Sequence, residues 1–399
     1  MTERVVITGL GIVSPLGSSL QALTEGFAAG AKPVLPPASG EGAAEAATIP
    51  MDVVPEGKRS RIGRMDRLCQ FLLSASYLAV EAAHLTVTAE NSERVGLCFG
   101  TGLGCLLTNE EYNRRIVEGG PAAASPRLFA YTVSSAAAGE VSIALGIKGP
   151  NVTAHMGLAA GLGAVGYGAD LIQLGKADVV LAGGADVLGS ALVQGLRDMG
   201  LLKTRDEMTP FHQSVPGVYP AEGAMVAVLE RFGHARQRGA PRLGSVEGYA
   251  AGFEPTLTRR ARQSTGVTAA MRRALDLSGR APSDIGLVFA SAHGTPVDDI
   301  ERIAIAETFG QKSDLLVLAP KAVLGESFGA SGALALALAV GLLQEPPAFA
   351  EDLAVAIDGT ARSGAEVRRR LEVASAVMVN SLCYSGNVVA LVLGREGEA

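Results

Sequence analysis

The chain has 399 residues, of which 48% are hydrophobic and 5% aromatic, and its formal net charge is −6. One hydrophobic core rarely grows beyond about 250–300 residues, so two domains or two fused halves are expected. The acidic balance argues against a nucleic-acid partner, because phosphate binding needs a dense basic surface.

Short apolar strands alternate with longer helical patterns, which is typical of an α/β protein on a largely parallel sheet. After a strand at 4–8, Gly9, Gly11, Pro15 and Gly17 predict a turn, and Ser18 or Ser19 can cap the next helix. Further strands are predicted at 94–100, 151–154 and 177–182, and helices at 133–145 and 158–174. A second series has strands at 243–249, 287–290, 315–319, 374–379 and 388–393, and helices at 266–277, 299–308 and 328–343. The similar order predicts duplicated halves at residues 1–240 and 241–399.

The cysteines and histidines form no metal-binding pattern, and no cysteine pair has disulfide-like spacing. Ser14 stands where a dinucleotide-binding fingerprint would need its third glycine. The longest apolar stretch, 328–343, falls short of the ~20 residues of a membrane span, so it predicts a buried helix. We therefore expect a cytoplasmic protein without metal, cofactor or membrane contact.

Leu158 follows a predicted strand and turn and opens a helix. A helix N-terminus offers free N–H groups and partial positive charge, so a cysteine there would be an activated nucleophile. A leucine can be neither nucleophile nor acid. Leu158 also begins an apolar stripe at helical spacing, so the residue pattern alone favours a core residue.

His293 follows an apolar strand in a glycine-containing loop, where α/β folds place ligands, although a structural or surface histidine is an equal alternative. Asp298 and Glu301 fit the first turn of the next helix, where carboxylates meet the helix dipole. Lys321 and Glu326 follow another strand end. Their alternative interpretation is an exposed ion pair worth about 0–1 kcal/mol.

Several short motifs occur in an order that indicates a family. They are VVITGLG (5–11), SPLG (14–17), RMDR (64–67), GPN (149–151), AGGAD (182–186), AEGA (221–224), AHGT (292–295) and NS (380–381). With these motifs the chain resembles the β-ketoacyl-acyl carrier protein synthases over nearly its whole length. The resemblance implies a thiolase fold, in which two duplicated βαβαβ halves form a five-layered αβαβα sandwich.

The chain departs from that family at its catalytic positions. A count without gaps places Leu158 where the family has its nucleophilic cysteine, and Ala160 replaces a serine. Glu326 stands where the family has its second catalytic histidine, in a segment that keeps Lys321 and Gly325. Such condensation needs a thiolate to carry the acyl chain and two histidines to hold the thioester oxygen. The resemblance therefore implies a catalytically degenerate subunit.

Other departures lie near the expected site. The loop after His293 is about three residues short, and the gate at 383–386 reads CYSG, with two glycine positions filled. His212 and Val215 replace an aspartate and an arginine that precede the AEGA motif.

The resemblance extends to the chain-length factors, or ketosynthase β subunits, of type II polyketide synthases. It implies a heterodimer with an active ketosynthase, and an acyl carrier protein that delivers phosphopantetheine-bound acyl chains. Glutamine often replaces the cysteine in that subfamily, so Leu158 departs even from this pattern. Retention of His293, Lys321 and Glu222 favours a polyene or reducing system.

The resemblance also implies that one strand pairs antiparallel with its equivalent in the partner, and the residues of that strand are Asn151, Val152, Thr153 and Ala154. By position, Leu103, Leu128 and Phe129 are candidates to line an acyl tunnel, with ordinary packing as the alternative for each. Two other hypotheses stay open. One is a stand-alone acyltransferase or decarboxylase that uses Cys383 near His293, and the other is an inactive homodimeric scaffold.

Overall fold

The computed structural model describes residues 3–31, 62, 65–208, 211, 216–255, 264–292, 294–310, 315–350, 354–356 and 361–396. Its strands are β1 (Val5–Val13), β2 (Val95–Gly100), β3 (Asn151–Ala154), β4 (Val179–Asp186), β5 (Gly223–Arg231), β6 (Gly244–Phe253), β7 (Ile285–Phe289), β8 (Leu316–Leu318), β9 (Ala354–Ala356), β10 (Ala361–Arg362), β11 (Ala376–Leu382) and β12 (Asn387–Gly394). Its α-helices are α1 (Leu20–Ala28), α2 (Arg67–Ala82), α3 (Leu106–Gly119), α4 (Pro126–Phe129), α5 (Ala136–Leu145), α6 (Ala160–Gln173), α7 (Ser190–Asp198), α8 (Phe232–Gln237), α9 (Thr265–Ser278), α10 (Val297–Phe309), α11 (Lys321–Leu324), α12 (Ser331–Gln344) and α13 (Gly364–Val373).

The strand order shows the duplication. The first half runs β3-β2-β4-β5-β1 and the second β8-β7-β11-β12-β6, with matching parallel and antiparallel pairs in both. Antiparallel pairing of β1 with β6 joins the two halves. The predicted boundary at 240/241 lies between α8 and β6.

The prediction of a largely parallel sheet is wrong. β5 runs antiparallel to both of its neighbours, and so does β12. The cause is visible at residues 383–386, which join β11 to β12. This connection is too short for the crossover that a parallel pair requires, so the two strands form a hairpin.

Three hydrophobic clusters define the layers. α2 and α5 cover the outer face of the first half, and α9 and α10 cover that of the second. Between the halves lie α6 and α12, whose side chains share one central core with both sets of strands. The five-layered αβαβα arrangement is therefore confirmed.

Helix α12 is buried along its length, from Ser331 to Leu343, which confirms that the apolar stretch is a core helix. In the described ranges, none of the helices combines the length and apolar character that a bilayer crossing requires.

Gly9 and Gly11 do not form the predicted turn, because β1 continues through them to Val13. They bring β1 close to α2 instead. A Cβ on Gly11 would lie 1.8 Å from the carbonyl oxygen of Ala75, on the facing helix. The chain turns at residues 14–17, and Ser19 then caps α1 by accepting a hydrogen bond from the Ala22 N–H, as predicted.

Candidate active site

The candidate site forms where the N-terminal turns of the two central helices meet. A 3₁₀ turn at Gly157–Ala159 precedes α6, and another at Phe328–Ala330 precedes α12. These turns contact each other. Both helices therefore direct their N–H-rich ends toward one place in the interior.

Leu158 lies in the first of these turns, with 4% of its surface exposed. It packs in an apolar cluster, here called the site cluster, formed by Leu158, Leu196, Val218, Phe328 and Cys383. The helix tip thus presents a hydrocarbon side chain to other apolar groups. This position confirms that Leu158 opens the helical segment.

Phe328, in the second turn, belongs to the same site cluster as Leu158. Its φ of 50° lies in the left-handed region, which costs a residue with a Cβ roughly 1–2 kcal/mol. The Glu326 carboxylate holds this conformation by accepting hydrogen bonds from the Phe328 N–H at 2.9 Å and the Ser331 hydroxyl at 2.7 Å. Glu326 therefore caps the start of the α12 segment.

Glu326 also forms a buried ion pair with Lys321. The Lys321 Nζ lies 2.7 Å from the Glu326 Oε2, and both side chains are almost completely removed from solvent. The interpretation as an exposed ion pair is therefore wrong. The charge of Glu326 is matched by an ammonium group at contact distance, and its other oxygen, Oε1, accepts from the start of the α12 segment.

Asp186, at the end of β4, ties the turn before α12 to the loop after β2. This fully buried carboxylate accepts hydrogen bonds from the N–H groups of Gly102 (2.8 Å), Leu103 (3.1 Å) and Gly329 (2.6 Å), and from the Thr101 hydroxyl. Burial raises the pKa of Asp186 to about 6 despite these donors. The sequence indicated Asp186 only as part of a motif, because its partners are distant in the chain.

Glu301 does not lie in the first turn of α10, so the helix-dipole interpretation is wrong for it. It is buried and accepts hydrogen bonds from the N–H groups of Ser291 and Ala292, both at 2.9 Å, and from the Asn380 amide at 3.1 Å. Burial raises its pKa to about 7. Asp298 does lie in the first turn of α10, as predicted, and accepts from the Gly294 N–H.

His293 itself lies outside the described residues, as do Arg64, His212 and Val215. The hydrogen bonds of Glu301 nevertheless fix the end of the segment that leads into His293.

Comparison with known proteins identifies the family. A model of the β-ketoacyl synthase N-terminal domain matches residues 2–235, and a model of the C-terminal domain matches residues 243–347. The chain belongs to the β-ketoacyl synthase family. It is 30% identical over 347 residues to the 3-oxoacyl-[acyl-carrier-protein] synthase 2 of Staphylococcus aureus strain COL, covering 83% of each chain. It is 29% identical over 417 residues to the corresponding synthase of Coxiella burnetii, covering 98% of this chain and 99% of the relative.

Solved structures resemble this chain along its whole length. One is described as the ishigamide ketosynthase/chain length factor; it is 25% identical, with a TM-score of 0.84 and complete coverage of both chains. Another is a β-ketoacyl synthase from Burkholderia phymatum, 25% identical with a TM-score of 0.80, covering 99% of this chain and all of the other. The curated relatives are thus named as synthases, whereas one structural relative includes a chain length factor.

The three tunnel candidates of this chain lie in different environments. Leu103 packs against the site cluster. Leu128 is half-buried in the short helix α4, and Phe129 is 61% exposed with its ring centroid 6.0 Å from that of Tyr112. Leu103 is therefore close to the candidate site, and Phe129 is at the surface of the isolated chain.

Cys383 lies beside Leu158, which the sequence could not show. Its sulfur occupies the space next to Gly157, where an added Cβ would lie 2.3 Å from it. The Ser385 hydroxyl donates a hydrogen bond to this sulfur at 3.1 Å. A thiol is therefore present at the tip of α6, on a neighbouring strand end.

Strand β3 is the end of the sheet and, among the described strands, pairs only with β2. Helices α5 and α6 contact β3 and carry exposed apolar side chains, Ile143 and Tyr167 respectively. The Thr153 hydroxyl is buried and has no hydrogen-bond partner in the described part of the chain. An unpaired strand edge with apolar neighbours is a template for another chain.

We predict that Lys321→Met lowers the free energy of unfolding by about 3–5 kcal/mol, because it leaves the Glu326 carboxylate buried without its counter-charge. Adding Glu326→Gln should recover part of this loss. Urea denaturation followed by circular dichroism measures both changes.

The control for these variants is Arg368→Met, which breaks the exposed ion pair with Glu372. It should change the free energy of unfolding by less than about 1 kcal/mol. A Lys321→Met variant as stable as this control would contradict the buried ion pair.

Proposed function

We propose that this protein is a non-catalytic chain-length factor that forms a heterodimer with an active ketosynthase and shapes the tunnel for the growing acyl chain. The observation that carries the proposal is Leu158, an inert side chain at the tip of a central helix. Decarboxylative condensation of acyl and malonyl groups on carrier proteins would then use the partner's cysteine.

The chemistry of the candidate site favours this role. Condensation through an acyl-enzyme needs a sulfur or oxygen nucleophile, and a leucine side chain has neither. Holding the developing negative charge of the malonyl group needs hydrogen-bond donors directed at it. Glu326 is instead a hydrogen-bond acceptor paired with Lys321, and its oxygens point to groups of the protein.

Similarity supports the heterodimer as the setting. The chain aligns over its full length with a structure described as a ketosynthase/chain length factor. The synthases named among its relatives would correspond to the catalytic partner, and an acyl carrier protein would deliver the substrates. Lys321 and Glu222 do not support the preference for a polyene or reducing pathway. Each forms an ion pair within this chain, with Glu326 and Arg67 respectively, and this structural role is enough to account for its presence.

The edge of β3 is the proposed contact with the ketosynthase. Antiparallel pairing with the equivalent strand of the partner would continue the sheet across a pseudo-two-fold axis. It would cover Ile143 and Tyr167 and bring polar groups toward the Thr153 hydroxyl. The acyl chain would extend along this interface past Leu103, with Leu128 and Phe129 as the further tunnel candidates.

We predict that Leu103→Ala in the reconstituted pair lengthens the product or broadens its length distribution, because a smaller side chain deepens the tunnel next to the site cluster. Phe129→Ala should do so if the partner covers Phe129. Mass spectrometry of the released products measures the change.

The control is Val373→Ala on α13, which removes a comparably exposed apolar side chain outside the proposed interface and should leave product length unchanged. Unchanged product length in both test variants would contradict the role as tunnel wall.

The position of Cys383 supports one second candidate, a stand-alone acyltransferase or decarboxylase with a displaced nucleophile. The sulfur lies beside Leu158 at the helix tip. An acyl group on Cys383 would therefore lie where the family has its active site, although Cys383 follows a different strand, β11. His293 would serve as its base.

The two candidates differ in where an acyl group is found. We predict that the isolated chain, incubated with acyl-carrier thioesters, gains no acyl mass in intact-protein mass spectrometry, because Cys383 is buried in the site cluster. An adduct on Cys383 that disappears in Cys383→Ser, but persists in Cys98→Ser, would establish the second candidate instead.

A further inference from the structure

A second group of reactive side chains lies away from the candidate site, where α2 and α3 begin. Asp66 is the N-cap of α2, Cys69 lies in the first turn of α2, and Cys105 is the N-cap of α3. One carboxylate oxygen and the two sulfur atoms all lie within 4.8 Å of one another, and all three residues are buried.

This donor set matches a zinc site. Zinc is bound tetrahedrally by cysteine sulfur at about 2.3 Å and by carboxylate oxygen at about 2.0–2.2 Å. The ligand atoms of such a tetrahedron lie roughly 3.5–3.8 Å apart, a separation that follows from those bond lengths. The three donor atoms of this cluster lie within 4.8 Å of one another, so small shifts would bring them to that separation.

The surroundings support the carboxylate as a ligand. The Leu68 N–H donates to Asp66 Oδ1 at 2.8 Å, and the Thr108 hydroxyl donates to Asp66 Oδ2 at 2.5 Å. Hydrogen bonds of this kind orient a ligating carboxylate, and here the Thr108 contact comes from the second helix. The Glu140 carboxylate is not part of the cluster and accepts a hydrogen bond from the Tyr131 hydroxyl at 2.8 Å. Three protein ligands leave the fourth position of a tetrahedral zinc to a water molecule.

We propose that Asp66, Cys69 and Cys105 bind one zinc ion that fastens α2 to α3. Each thiol loses its proton as its sulfur binds, and Cys105 gives up its weak contact with the Val133 carbonyl oxygen. Cys105 directly follows the 101–104 loop, so the ion would also fix the position of Leu103. The effect of the ion on the acyl tunnel through Leu103 rests on the proposed function. Zinc binding itself does not depend on that proposal.

Sequence spacing could not reveal such a site. Cys69 and Cys105 belong to no CxxC pair, and α2 and β2 separate them along the chain. The fold brings them together because both helices pack on the same face of the first half.

The test is the metal content of the full chain, purified without chelator and measured by plasma mass spectrometry. We expect about one zinc per chain, and at least tenfold less in Cys69→Ala and in Cys105→Ala. Cys98→Ala is the matched control, because it removes a buried thiol of β2 outside the cluster and should keep the metal.

A second measurement on the unmodified chain avoids any dependence on how the variants fold. Unfolding and refolding with Co²⁺ should give the near-ultraviolet absorption of cobalt–thiolate bonds. Unmodified protein that holds no zinc as purified and shows no such absorption with cobalt would overturn the proposal, whether its cysteines are free thiols or a disulfide. Equal zinc in the Cys69→Ala variant and the control would overturn it as well.

Discussion

The close meeting of helices α6 and α12 between the two halves is the constraint on which the rest of the site depends. A Cβ on Gly161 would lie 2.4 Å from the Gly329 carbonyl oxygen, and one on Gly184 would lie 2.5 Å from the same atom. Only glycines allow the two helix starts and strand β4 to approach this closely. The same contact brings Leu158 and Phe328 into one site cluster.

At such a junction the free N–H groups of two helices need acceptors, and in an active enzyme some of them face a substrate. Here Asp186 and Glu326 accept from the second helix start. Lys321 balances the charge of Glu326, and Leu158, Phe328 and Cys383 fill the space between the tips. The interior is thus stabilised by its own side chains, which agrees with a subunit that supports catalysis elsewhere.

Much of the architecture could be predicted from the sequence, since apolar runs and helical spacing identified five of the seven described strands of the second half and both central helices. Strand β5 was missed, and the direction of β12 was wrong, because sheet pairing depends on contacts distant in the chain. The position of Leu158 at the family's cysteine was identified by counting residues between motifs that the chain shares with that family. The burial of Lys321 and Glu326, and the position of Cys383 beside Leu158, depend on how three separate strand ends converge, which no local pattern encodes.

If this chain supplies no nucleophile, condensation by a reconstituted pair must depend on the partner's cysteine. The ketosynthase partner is prepared with its nucleophilic cysteine replaced by alanine and mixed with this chain, acyl and malonyl carrier proteins, and product is measured by mass spectrometry. We expect no product from this pair, whereas Leu158→Ala combined with an intact partner should keep the rate within about twofold. Product from the pair that lacks the partner's cysteine would show that this chain does supply a nucleophile.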